Sequence, residues 1–221
     1  MAAETSQEQE LKETGRIEAF SDGVFAVAVT LLILTIRVPE GRDVNIPGAV
    51  LDQWPFFLAY LVSLVSILVM WANHHGIFNL VVRTDRVLLI LNGILLMLIT
   101  FFDYPTAVLA AAISEGNYQQ FAAMFYTGTL LAVTIVYNIF WRYIAGHPRL
   151  IDVHVNLGTV EKTSREYRFG PLFYATAFVV AYFSPLAGVL ITLLLAIYFA
   201  VTARIGSVHG GSGGSEGGSR A

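Results

Sequence analysis

An all-α integral membrane protein is the fold class this sequence predicts, and three observations carry the prediction. The 221-residue chain is 56% hydrophobic and only 13% charged, against about 25% charged residues in globular domains, and its mean hydropathy is +0.65. Its apolar residues come in long uncharged runs: residues 23–36 carry no charge, and counted from Phe20 the run reaches the roughly 17–25 residues that cross a bilayer. The charged residues crowd into the connections between runs. Six transmembrane helices within residues 15–206 account for these runs.

The elements follow in order. Residues 1–14, rich in Glu and Gln, read as a flexible cytoplasmic N-terminus, too acidic for a secretory signal. Helix one starts at Gly15 and ends near Arg37, where Val38-Pro39 breaks it. Residues 40–48 form an irregular loop. Helix two runs over 51–71 with Trp54 and Trp71 as interfacial anchors, and leads into Asn73-His74-His75. Helix three follows Arg83-Thr84-Asp85-Arg86, carries Asn92 inside, and closes at Asp103-Tyr104-Pro105. Residues 106–120, Ala-rich and then polar, suit a short interfacial helix. Helix four covers 121–143, and 145–168 is the longest polar loop. Helices five (169–183) and six (186–201) are separated only by Ser184-Pro185 and make a tight hairpin. Residues 207–221 are a flexible Gly/Ser-rich tail with the composition of a linker, unable to pack a core.

Orientation follows from the basic residues. With the N-terminus inside, Lys12, Arg16, Arg83, Arg86, Arg142, Arg149, Lys162, Arg165, Arg168 and Arg204 lie inside, and Arg37 and Arg42 outside. Ten against two, with Arg220 of the tail set aside, is a positive-inside bias. It requires an even number of spans and puts both termini in the cytoplasm.

Several function classes are excluded. With no cysteine, disulfides, iron–sulfur clusters and thiolate metal sites are out. No basic patch interleaved with aromatics points to nucleic acid. An enzyme is not expected: there is no nucleophile–base pair, H-E-x-x-H zinc motif or phosphate loop. No helix carries the regularly spaced arginines of a voltage sensor, and the TVGYG potassium filter is absent.

Helix one holds the residues of interest. At about 100° per residue, Phe20, Gly23, Val27, Thr30, Leu31 and Leu34 fall on one stripe, and Asp22 projects roughly 140° from its centre. Periodicity alone fits helix packing or lipid contact as well as a conduit. Ionisable groups near hydrocarbon are costly and usually have a task. Ser21 and Asp22 on helix one, His75 on helix two and Asn92 on helix three share one layer, and a buried carboxylate needs donors. The expectation is a network of Arg16, Ser21, Asp22, His75 and Asn92 that fixes helix one to helices two and three. Adjacent His74 and His75 with one Asp are a weak metal signal, and no metal site is expected. Asp22 with His75 could instead serve a proton-coupled or small-solute secondary transporter, though no internal repeat supports that class. A structural membrane protein with no pathway of its own is the third reading.

Arg16, Phe20, Ser21 and Asp22 spell R-x-x-x-F-S-D, and with the following GVFAVAVTLLIL this segment resembles the pore helix of the TMEM175 family of potassium channels. The match is strongest over residues 16–40; beyond them it extends to helix count and to polar landmarks such as His75 and Asn92. The resemblance implies a potassium-selective cation channel in a bacterial plasma membrane. It further implies a homotetramer in the lipid bilayer, with helix one of each subunit lining the pore. It assigns Val27, Leu31 and Leu34 to an apolar constriction and Thr30 to a selectivity layer. Position 27 is Val where the family often has Ile. No cofactor is implied, potassium being the permeant ion only.

Overall fold

The structure is a computed structural model that describes residues 2–39 and 45–208. Among the described residues it is all-helical. The α-helices are α1 (Ala2–Leu31), α2 (Ile46–Asp52), α3 (Trp54–Phe78), α4 (Arg86–Phe101), α5 (Asp103–Glu115), α6 (Gln119–Ala145), α7 (Leu157–Phe183) and α8 (Pro185–Val208). Short 3-10 turns occupy Leu32–Thr35 and Pro148–Leu150.

Among the described residues, four stretches are long and apolar enough to cross a membrane: Thr14–Thr35, Trp54–Phe78, Arg86–Glu115 and Gln119–Ala145. The sequence leads one to count six. The difference lies in the last hairpin, where α7 begins with a polar half and the apolar part of α8, Pro185–Val201, is shorter.

Boundaries move for local reasons. α1 is helical from Ala2, because the segment expected to be flexible is built of good helix formers without Pro or an early Gly. The four residues after α1 tighten into the 3-10 turn Leu32–Thr35 before Pro39. α3 continues past Trp71 to Phe78, so both histidines stand on the helix. Pro105 does not close the third span. It sits in the first turn of α5, where a missing N–H costs no helical bond, and α5 follows α4 after Phe102 alone. The 106–120 segment is not one short helix but is divided between α5 and the start of α6, and Thr106, Leu109 and Ala110 are buried against neighbouring helices. α5 stops at Gly116, whose φ of 72° is the left-handed conformation glycine adopts at no steric cost.

The expected 145–168 loop is shorter, since α7 starts at Leu157 with Asn156 as its cap, the Asn156 side chain accepting the Gly158 amide at 2.8 Å. Trp141 Nε1 donates to Ser164 Oγ at 2.9 Å and ties this polar half to α6. Further along, Pro171 lies inside α7 and so leaves the Tyr167 carbonyl without its helical donor. Asn138 of α6 supplies the replacement, its Nδ2 reaching that carbonyl at 2.6 Å. α7 and α8 meet closely: a Cβ on Gly188 would stand 2.5 Å from Ala181 Cβ. The 209–221 part of the expected tail and Arg42 lie outside the described residues.

At one end of the bundle the connections are laced together. Val81 and Ile151 form an antiparallel bridge, Val82 N–H donates to Leu150 O at 2.9 Å, and Thr14 Oγ1 donates to Val82 O at 3.2 Å. Asp85 caps α4 by accepting the Leu88 amide at 2.9 Å, and also accepts from Tyr143 at 2.7 Å and from Arg149 at 3.0 Å. Burial alone would raise the Asp85 pKa, but these donors and the Arg149 charge hold it below its ordinary 3.8. At the opposite end, Gln120 Nε2 donates to Tyr182 O at 2.6 Å. Between the ends runs one apolar core that includes Phe25, Leu32, Ile67, Leu95, Tyr126 and Trp141.

Candidate functional site: the two faces of α1

α1 packs on α3 and α4 through residues spaced four, three and four apart. Ser21, Phe25, Ala28 and Leu32 are all buried, the period of one helical face. Rotating away from them exposes the other face. Phe20, Gly23 and Thr30 are exposed there, and Val27, Leu31 and Leu34 are 53%, 44% and 70% accessible. The stripe expected from the sequence is therefore a continuous bare face on a helix held from behind. The Thr30 hydroxyl donates to the Val27 carbonyl at 2.9 Å, the local back-bonding open to threonine in a helix.

What holds α1 from behind is a directional chain of hydrogen bonds. Ser21 Oγ donates to the Ile17 carbonyl at 2.9 Å and accepts from Asn92 Nδ2 at 2.9 Å. With its amide committed as donor, Asn92 offers Oδ1, which lies 2.9 Å from His74 Nε2. The His74 ring must therefore carry its proton on Nε2 to complete the chain. All three side chains are buried. His74 is packed among Phe25, Phe78 and Phe140, with ring centroids at 5.3, 4.6 and 6.4 Å. Its Nδ1 is buried without a partner among the described residues, as suits the unprotonated nitrogen of this tautomer in an aromatic cage.

The histidine in the buried chain is His74, where the sequence pointed to His75. Adjacent helical residues differ by about 100°, and the buried side of α3, through Ile67, Met70, His74 and Ile77, takes the first of the two. His75 faces outward and pairs with Glu18, Nδ1 to Oε1 at 2.9 Å. Asp22 accepts from Trp71 Nε1 at 2.9 Å, and Trp71 stacks on His75 at 5.9 Å. The expected single network is thus two. Ser21, Asn92 and His74 form an inner one, and Glu18, Asp22, Trp71 and His75 an outer one. Arg16 is exposed and, among the described residues, joins neither by a hydrogen bond or ion pair; with Phe20 it lines the cleft between α1 and α4.

The sequence points to Trp71 only as an interfacial anchor and not to Glu18, although Glu18 stands four residues before Asp22 and Trp71 four before His75, so that two i,i+4 pairs face each other and bond across the helices. Donor atoms of Glu18, Asp22 and His75 lie within 4.8 Å of one another, close enough to share a metal ion. Each of the three already has a protein partner. A third polar cluster carries no sequence signal. Ser63 Oγ bonds Thr106 Oγ1 at 2.8 Å and the Tyr126 hydroxyl at 3.1 Å, joining α3, α5 and α6 in the core.

A first helix anchored on one face and bare and apolar on the other, within an all-helical membrane-spanning fold, defines the class. Comparison with known proteins agrees. Residues 16–102 match the family described as "Endosomal/lysosomal potassium channel TMEM175". A protein of Chamaesiphon minutus described as a potassium channel is 47% identical over 87% of this chain and 96% of its own length. One of Streptomyces collinus, similarly described, is 37% identical over 86% and 92%. Among solved structures, the crystal structure of a lysosomal potassium-selective channel TMEM175 homolog from Chamaesiphon minutus superposes with a TM-score of 0.80. It is 45% identical and covers 87% of this chain and 98% of the other. This chain belongs to the TMEM175 family of channels.

Proposed function

We propose that the protein is a potassium-selective channel of a bacterial plasma membrane, assembled as a homotetramer around a pore lined by α1. Both termini are cytoplasmic and each subunit spans six times, α7 and α8 completing the even number that the basic-residue bias requires. The observation that carries the reading is the bare face of α1: Val27, Thr30, Leu31 and Leu34 are exposed together while the opposite face is locked into the subunit. A closed ring of identical subunits would bring four such faces to one axis.

There the chemistry follows from the side chains. Rings of Val27, Leu31 and Leu34 make a hydrophobic neck that gates by dewetting. A small splaying of α1 admits water and a partly hydrated cation. Thr30 hydroxyls then offer oxygen in place of lost hydration water. No acidic ring lies on the stripe, so divalent ions are not favoured. Conduction is passive and needs no cofactor, potassium being the permeant ion. Support for the ion comes from the two relatives described as potassium channels.

Purified protein in planar bilayers tests this, recorded in potassium against sodium. Leu31→Ala, which widens the neck, is expected to raise the resting current, and Thr30→Ala to reduce discrimination between the two ions. Saturable, proton-linked flux at carrier rates, or variants indistinguishable from wild type, would reject the reading.

A further inference from the structure

Away from α1, four helices border a partly open cavity of about 80 Å³. Met70 and Asn73 of α3, Val133 and Tyr137 of α6, Tyr174 of α7 and Phe199 of α8 are among its walls. Gly170, beside the proline in α7, is also in the lining, and a Cβ there would stand 3.1 Å from Thr134 Cγ2. A water needs roughly 10–15 Å³ of such volume, so the space suits a molecule of about five to eight non-hydrogen atoms.

Its walls are mainly aromatic rings and aliphatic carbon, yet two polar groups in them are uncommitted. Tyr174 is 8% exposed, and its hydroxyl has no hydrogen bond among the described residues. Asn73, half-buried in mid-helix, likewise uses neither its amide nor its carbonyl oxygen there. The Tyr137 hydroxyl is different: it is spent on the Met70 carbonyl at 2.6 Å. Both groups are accessible from the cavity and free to bond a guest there, a hydroxyl and an amide each being able to donate and accept.

We propose that this cavity is a binding site for a small neutral aromatic molecule carrying one hydroxyl group. The ring lies against the tyrosines and Phe199, and the hydroxyl serves Tyr174 and Asn73, which can donate and accept. A charged ligand is disfavoured, since no lining residue is ionised at neutral pH to pair with it. The site stands independently of ion conduction. It shares α3 with the anchoring chain, Asn73 preceding His74, so an occupant would press on the support of α1 from within the subunit.

Calorimetric titration of the detergent-solubilised full chain with phenol and with benzene tests this, micelles alone being subtracted. Phenol should saturate at one per chain and bind more tightly than benzene. Tyr174→Phe and Asn73→Leu should each weaken phenol about tenfold and leave benzene within twofold. Val133→Phe, which fills the space, should abolish both. Thermal unfolding without ligand provides a separate reading: Tyr174→Phe should melt at or above the wild-type temperature, because the hydroxyl it removes has no partner. Phenol heats that only reflect micelle partitioning would overturn the proposal. So would equal phenol binding in wild type and Tyr174→Phe, or a lowered melting temperature in Tyr174→Phe.

Discussion

Replacing Asn92 by leucine, of similar size, removes the middle of the chain that anchors α1. Two bonds go, to Ser21 Oγ and to His74 Nε2, each 2.9 Å long. At about 0.5–1.5 kcal/mol net per bond, and nearer 0.6 on average between helices in membranes, their loss costs about 1–2 kcal/mol. His74 then has both ring nitrogens buried without partners, since Nδ1 already lacks one among the described residues. An orphaned buried donor adds about 1–3 kcal/mol. Ser21 suffers less, because its hydroxyl still donates to Ile17 O. The sum for Asn92→Leu is about 2–5 kcal/mol, measurable by equilibrium unfolding in mixed micelles. A double-mutant cycle with Ser21→Ala should show a coupling of about 1 kcal/mol, within the range for groups in one network. An Asn92→Leu protein within about 0.5 kcal/mol of wild type, or one additive with Ser21→Ala, would refute the directional chain.

Three further outcomes are expected. Asn138→Leu removes the Nδ2 donor from the Tyr167 carbonyl and should cost about 0.5–1.5 kcal/mol, while adding Pro171→Ala, which restores the helical N–H, should recover most of it in the same unfolding assay. Gly188→Ala forces a Cβ to 2.5 Å from Ala181 Cβ, an overpacking worth about 1–3 kcal/mol that should lower the melting temperature, with partial relief from Ala181→Gly. Asp85→Ala removes the α4 cap and should cost about 1 kcal/mol at neutral pH. Because the folded carboxyl lies below its ordinary 3.8, this contribution is present above that pH and is lost as pH falls through the folded value. Wild type and Asp85→Ala should therefore converge in acid, and a constant gap would contradict the assignment.

Much of the molecule was legible in the sequence, and the failures have physical causes. The bare stripe of α1 follows from period alone, since Val27, Thr30, Leu31 and Leu34 share one side at 100° per residue. What that side faces is not a property of one chain's periodicity. The identity of the buried histidine was readable in principle: stepping by threes and fours from Ile67 through Met70 reaches His74 and passes His75. The polar half of α7 looks like loop in the sequence because Leu157–Arg168 lacks an apolar run, and it becomes helix through the Asn156 cap and the bond from Trp141 to Ser164. Pro105 does not terminate the span, since the effect of a proline depends on whether it falls in a first turn or an interior one. The Ser63–Thr106–Tyr126 cluster was invisible because isolated hydroxyls in apolar helices look alike until three helices bring them together.

The change of winding at Leu32–Thr35 has a mechanical consequence. Each 3-10 residue turns about 120° and rises about 2.0 Å, against about 100° and 1.5 Å in the α form. Rewinding those four residues would swing Leu34 by about 60° around the helix and draw the segment in by about 2 Å. Leu31, the last α-helical residue, would stay where it is. The outer part of the greasy stripe can thus be re-aimed by a local exchange of pitch, with Ser21, Asn92 and His74 undisturbed below.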